Sequence, residues 1–315
     1  MEANGVLHIT NGSHLTDYLK ELQIEGTFLT WHEMLCEGPT IEHINSTDFL
    51  TIRTRFLKEF YQLEVDKNLV LKEIKILDDI ASFKEIVLWF EYDLFCHINL
   101  LGVINLLKQK QIDLPLYLVC SGWIHENKHE LKGLSELNSK QLLNHYENKI
   151  LLNPDDIRLA KEVWRIYCGN DHNLLKPYII TDSSFIYLSN CLKAHLQRFP
   201  NSKSGINELE QNILKIIEQN DIKSKHHLLG YALNYQGYYG FGDIQMQRII
   251  NRLAVFYTEE DDKLTLNQYG FKAAYAQNNY IDWMDDKMVF GGAKKHDFYF
   301  DTQANKLLKT IKNVD

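Results

Sequence analysis

The chain predicts an α/β fold: an N-terminal three-layer domain on a parallel sheet, then a mainly helical region with a winged-helix-like C-terminal part. Three observations carry this. Apolar runs at residues 6–10, 27–31 and 85–90 read as buried strands. A helical pattern follows each run. Each run also ends in a short polar loop of the kind found at the carboxyl edge of an open α/β sheet.

The elements follow in order. Strand 6–10 ends at Asn11-Gly12-Ser13, ahead of a helix over 14–22. Strand 27–31 leads into a loop carrying Glu33, Cys36, Glu37, Gly38 and Pro39. The helix over 47–63 shows an apolar stripe, Phe49, Ile52, Phe56, Phe60 and Leu63, and Ser46-Thr47-Asp48 offers N-cap chemistry. Strand 85–90 ends at Glu91-Tyr92-Asp93, before a helix over 98–109, and strand 116–120 follows Pro115. Such alternation predicts parallel strands with right-handed crossovers. Helices are expected over 139–147, over 155–167 behind Pro154, and over 183–197. After a turn at 199–205 come helices over 207–219, 224–234 and 243–256, with Asp243 as the cap of the last. Short β runs near 263–266 and 288–290 complete a winged-helix-like succession. The expected division is an α/β domain over 1–130, a helical connector over 131–200 and a C-terminal domain over 201–315, with the first boundary in the polar stretch 125–135.

Composition bounds the function classes. The 315 residues are 45% hydrophobic and 24% charged, ordinary for a globular protein. No run is long and apolar enough to span a membrane, and the first residues lack the basic-then-apolar pattern of a secretory signal. Five scattered cysteines form no CxxC pair, which fits reduced thiols in a cytoplasm. The net charge is -8, with roughly 11 basic and 20 acidic residues in the first 130. An acidic first domain repels phosphate backbones, so nucleic acid is not an expected partner there.

The strand-end loops hold the candidate site. Glu33, Glu37, Glu91 and Asp93 are the acid–base candidates, since clustered carboxylates shift each other's pKa and hold hard cations such as magnesium. Asn11, Gly12 and Ser13 are ligand-binding candidates because backbone amides at a helix start hold anions, and the bland alternative is a tight turn with Ser13 as N-cap. Gly38 belongs to the constrained Glu37-Gly38-Pro39 turn. Arg53 is the candidate clamp for a phosphate or carboxylate, Arg55 having a helical neighbour in Glu59. His8 reads as a satisfied core histidine, and the cysteines as small buried hydrophobes rather than nucleophiles.

The segments Leu7-His8-Ile9-Thr10-Asn11-Gly12-Ser13, Trp31-His32-Glu33-Met34-Leu35-Cys36-Glu37-Gly38-Pro39 and Trp89-Phe90-Glu91-Tyr92-Asp93-Leu94-Phe95 resemble the bacterial family called domain of unknown function 1835. Gly240-Phe241-Gly242-Asp243, residues 264–270 and Gly291-Gly292 resemble elements that accompany that domain in longer members. The resemblance covers most of the chain and implies a fold and a site location, with no activity. The family pattern has an acidic residue and Gln where this chain has Cys96 and His97.

The expected function is that of a cytoplasmic enzyme or small-molecule-binding protein, its ligand a small anion such as a nucleotide or phosphorylated metabolite. The alternative is a regulator that binds DNA or a protein through the C-terminal domain. A basic stripe across Arg248, Arg252, Lys294 and Lys295 would favour that alternative, since DNA affinity needs clustered cations. The sequence specifies neither a cofactor nor an oligomeric state.

Overall fold

A computed structural model of the chain describes residues 5–124, 127–284 and 286–310. In chain order its first part consists of β1 (Gly5–Asn11), α1 (Ser13–Glu21), β2 (Thr27–Trp31), β3 (Gly38–Pro39), α2 (Thr47–Tyr61), α3 (Lys67–Ile74), β4 (Phe83–Phe90), α4 (Leu94–Gln109), β5 (Leu116–Cys120), β6 (Trp123–Ile124), β7 (Asn127–Leu131), α5 (Ser139–Glu147), β8 (Ile150–Leu151) and α6 (Pro154–Cys168).

The main sheet has the order β2-β1-β4-β5-β8. The first four strands are parallel, as expected, and β8 is antiparallel to β5. Alternate residues of each strand serve opposite faces. Leu7, Ile9, Ile86 and Leu88 pack toward a large core that includes α4 and α6. Val87, Trp89 and Val119 pack toward a smaller one with Leu15 and Leu19 of α1 and Leu142 of α5. A helix that is apolar on every side must be buried on every side. This is the case for α4, whose buried residues run almost unbroken from Leu94 to Leu107.

The sheet does not stop at residue 130. Strand β8 extends it and α5 covers one face, so the first stretch of the expected connector belongs to the three-layer unit. Residues 125–126 of the expected boundary lie outside the described residues. The helical forecasts are otherwise close. Ser46 caps α2, accepting from Phe49 N–H at 3.1 Å. Pro154 opens α6 with Asn153 as cap. The helix forecast over 183–197 begins only at Leu188, as α7 (Leu188–Gln197), because Ser184 is held outside it by Asp156.

The remainder comprises α8 (Glu208–Gln219), α9 (Lys225–Asn234), α10 (Asp243–Arg252), the antiparallel pair β9 (Tyr257–Glu260) and β10 (Lys263–Leu266), and α11 (Gln268–Ala274). Strands β11 (Val289–Gly291), β12 (Ala293–Lys294), β13 (Phe298–Asp301) and β14 (Lys306–Lys309) follow. Gly242, not Asp243, is the N-cap of α10, and Gln245 reaches back to its N–H at 3.1 Å. Strand β11 pairs in parallel with β3, placing Phe290 beside Gly38. That pairing docks the end of the chain onto the loop after β2.

Candidate functional site

The strand order reverses between β1 and β4, which leave their loops at a topological switch point. Ligands of open α/β sheets bind in the crevice at that point. Three of the predicted residues meet in it. Asn11, Gly12 and Glu33 line a cleft of about 270 Å³, together with Trp31, Met34 and Phe95. Gly12 has φ +100°, and a β-carbon there would meet nothing within 4 Å. It is the N-cap of α1 and supplies no side-chain cap, so Ser13 is the exposed first helical residue and not the N-cap of the bland alternative. The first amides of α1 therefore begin at the cleft rim without a side-chain acceptor. The indole N–H of Trp31 is likewise buried without a partner, although the residue is only 4% exposed.

A chain of polar bonds joins the cleft to the β4 loop. Asn99 on α4 donates to the Asn11 side-chain oxygen (2.8 Å) and to the Glu33 carbonyl (2.5 Å), and accepts from Leu35 N–H (3.0 Å). Asn11 donates to the Cys96 sulfur at 3.1 Å, and Cys96 N–H donates to Asp93 at 2.7 Å. The Glu33 and Glu91–Asp93 loops thus open at one end of the sheet.

The other candidates have structural partners. Arg53 is buried, and each of its guanidinium nitrogens is engaged. It donates to the Glu33 carboxylate (3.0 Å) and to the carbonyls of Met34 (3.1 Å), Glu37 (2.7 Å) and Pro39 (3.1 Å). It staples the loop after β2, and the expectation of a ligand clamp is corrected accordingly. Arg55 is exposed and makes no ion pair with Glu59. Glu37 is also buried, accepting from Tyr61 Oη (2.5 Å) and from Gln245 (2.8 Å), so it joins α2 to α10 away from the cleft. Gly38 lies under Phe56, where a β-carbon would come within 2.4 Å of the ring, so packing explains it rather than ligand contact.

Glu91 and Asp93 form a second cluster with Cys96, their ligand atoms all within 4.8 Å of one another. Burial raises the Glu91 pKa, and the Asp93 charge raises it further. Burial also raises Asp93, against the opposing pull of its backbone bonds. Both acids already cap backbone: Glu91 accepts from Leu134 N–H (2.6 Å), and Asp93 caps α4. The C-terminal lobe closes over them. Leu94 N–H donates to the Tyr238 carbonyl (2.8 Å), and Gly240 approaches so closely that a β-carbon would lie 2.1 Å from Asp93. Burial keeps the Cys96 thiol protonated. A protonated soft donor beside two occupied carboxylates does not suit magnesium, which requires oxygen ligands in an octahedron.

Two groups escaped sequence reasoning. A buried polar row runs from Arg198 through His195 (2.6 Å) and His172 (2.8 Å) to the Tyr167 carbonyl (2.9 Å), both imidazoles being held neutral by burial. Arg248, Arg252 and Lys295 converge on Asp286, and the last two also on Glu210. These cations therefore spend their charge internally, and no basic stripe crosses them. The bonds that assemble each group, His195 to His172 and Arg248, Arg252 and Lys295 to Asp286 or Glu210, mostly join distant residues, so no local signal marked them. His8 is the satisfied core histidine it was read as, accepting from Trp89 Nε1 (3.0 Å) and donating to the Glu25 carbonyl (3.1 Å).

Comparison with models of known protein families and with curated proteins finds no match to this chain. Among the described residues no helix is long and apolar enough to cross a membrane.

Proposed function

We propose that this protein binds a small anionic ligand, a nucleotide or phosphorylated metabolite, in the switch-point cleft. One observation carries the reading: α1 starts at the cleft on Gly12 with no side-chain cap. Free helix-start amides and the positive end of the helix dipole attract an anion. Trp31, whose buried N–H has no partner, lines the same cleft. In this reading Glu91 and Asp93 hold the β4 loop, α4 and the C-terminal lobe together, and are scaffold rather than reacting groups. The C-terminal helices and the β9–β10 hairpin act as a winged-helix-like packing module, a role supported by the internal pairing of Arg248 and Arg252. The resemblance to domain of unknown function 1835, and a bacterial cytoplasmic location, belong to the same proposal.

The test is thermal melting with inorganic phosphate and with nucleoside phosphates, in the parent and in Ser13→Pro. Proline is tolerated at the first helical position, and Gly12 has ψ 155°, which suits the residue before proline. The substitution removes one amide donor and leaves the fold intact. A ligand-induced rise in Tm that shrinks in Ser13→Pro supports the site. Equal shifts in both proteins would refute it.

A further inference from the structure

The cleft does not end at its polar rim. It shares Trp31, His32, Glu33, Leu57 and Val65 with a second cavity of about 540 Å³ between the edge strand β2 and helices α2 and α3. That cavity is walled mainly by apolar side chains, among them Leu29, Phe49, Leu69 and Ile76. Its outer wall, α3, buries none of its own residues, and Leu69, which lines the cavity, is 61% exposed. Helices of globular proteins ordinarily bury an apolar face, and most of their stability comes from doing so. Here the face of α3 that lines the cavity has only partial cover.

We propose that the ligand is an amphiphile. Its carboxylate or phosphate head sits at Gly12 and Trp31, and its alkyl or aryl body fills the groove under α3. This inference rests on the anion-binding reading above and names the ligand class for that site. Trp31 lines both cavities, at the junction of head and body, and its buried N–H has no partner. The one charge in the shared wall, Glu33, is neutralised by Arg53 and does not repel the head. The volume is in the ordinary range for small-molecule pockets, which are mostly apolar with a few placed polar groups.

The experiment is calorimetric titration with hexanoate, decanoate, 2-naphthoate, decyl phosphate, decanol and inorganic phosphate. It uses the parent, Leu69→Asp and Ser13→Pro, each checked by melting. Leu69 is exposed, so its replacement keeps the fold. Decanoate, 2-naphthoate or decyl phosphate should bind at least about ten-fold tighter than hexanoate or phosphate, well within what four buried methylenes contribute. Leu69→Asp should remove that gain at unchanged Tm, while Ser13→Pro should weaken every anion and leave decanol unaffected. Hexanoate and decanoate binding alike in the parent would overturn the amphiphile and leave the anion site standing. Decanol binding as tightly as decanoate would refute the anion site itself. No binding by any probe would refute both.

Discussion

Single side chains divide into those that line the cleft and those that brace it, and Arg53 braces it. Replacing it with Met strips the Glu33 carboxylate and three loop carbonyls of their donor. Breaking a buried pair in this way costs about 3–5 kcal/mol. A denaturant melt of Arg53→Met should show a loss of that order, and a loss under about 1 kcal/mol would mean the staple is dispensable. Glu91 and Asp93 carry a pH signature. Both carboxyls are held above their ordinary range by burial, so the folded chain binds protons that the unfolded chain has released. Their contribution to stability therefore falls as pH rises from the ordinary carboxylate range through the raised one, opposite in sign to that of the buried neutral His172 and His195. Glu91→Gln keeps the acceptor for Leu134 and removes the charge. Its Tm relative to the parent's should rise between about pH 5 and pH 8. A difference between the two proteins that stays constant across that interval would contradict the assignment. Residue-level reading of the sequence worked where a group answers to near neighbours in the strand pattern, as with His8. It failed for Arg53 and Glu37, whose partners are contributed by other elements.

At the scale of elements, start signals carry measurable stability. Asn153 accepts from Asp155 N–H (2.8 Å) and Asp156 N–H (3.0 Å), and Asp156 returns a bond to Asn153 N–H. Asn153→Ala should cost about 1 kcal/mol by losing this cap. Asp156→Ala should cost more, because Asp156 also accepts from Ser184 N–H and Oγ. The ordering of the two variants in urea is the measurement, and the reverse order would show that the Ser184 contacts add nothing. Boundaries were legible in the sequence wherever such capping or an apolar period marked them, as at 116–120 and 139–147. They were illegible for α3, which buries no stripe, and for two-residue strands such as β3 and β8, which tertiary pairing alone creates. The carboxyl-edge placement of the loops was legible. That Glu37 and Gly38 would turn away from the cleft was not.

For the whole molecule, one hydrophobic core runs from Leu7 to Leu307, and β3 with β11 ties the two ends of the sequence. Unfolding should therefore be a single transition, with calorimetric and van't Hoff enthalpies agreeing. Two resolved transitions would show that the C-terminal lobe melts alone. The buried ion network gives a second, acid-side dependence. Glu210 and Asp286 are held below their ordinary range, with Lys295 the largest opposing influence to their burial. The network's stabilisation is present above the ordinary carboxylate pKa and is lost as pH falls through the lowered one. Asp286→Asn should reduce the parent's stability at neutral pH and blunt its fall in acid. An Asp286→Asn curve parallel to the parent's would rule that out.

The pairing of Gly38 with Phe290 also sets a timetable for biosynthesis. A ribosome releases the first α/β units long before residue 290 exists, so the loop containing Glu33 emerges without its neighbouring strand. Every residue that lines the crevice, from Asn11 to Phe95, is made by then, and the late strand adds only the bracing at Gly38. A chain stopped short of residue 289 therefore carries the whole lining and lacks only the strand pairing that holds the end of its loop.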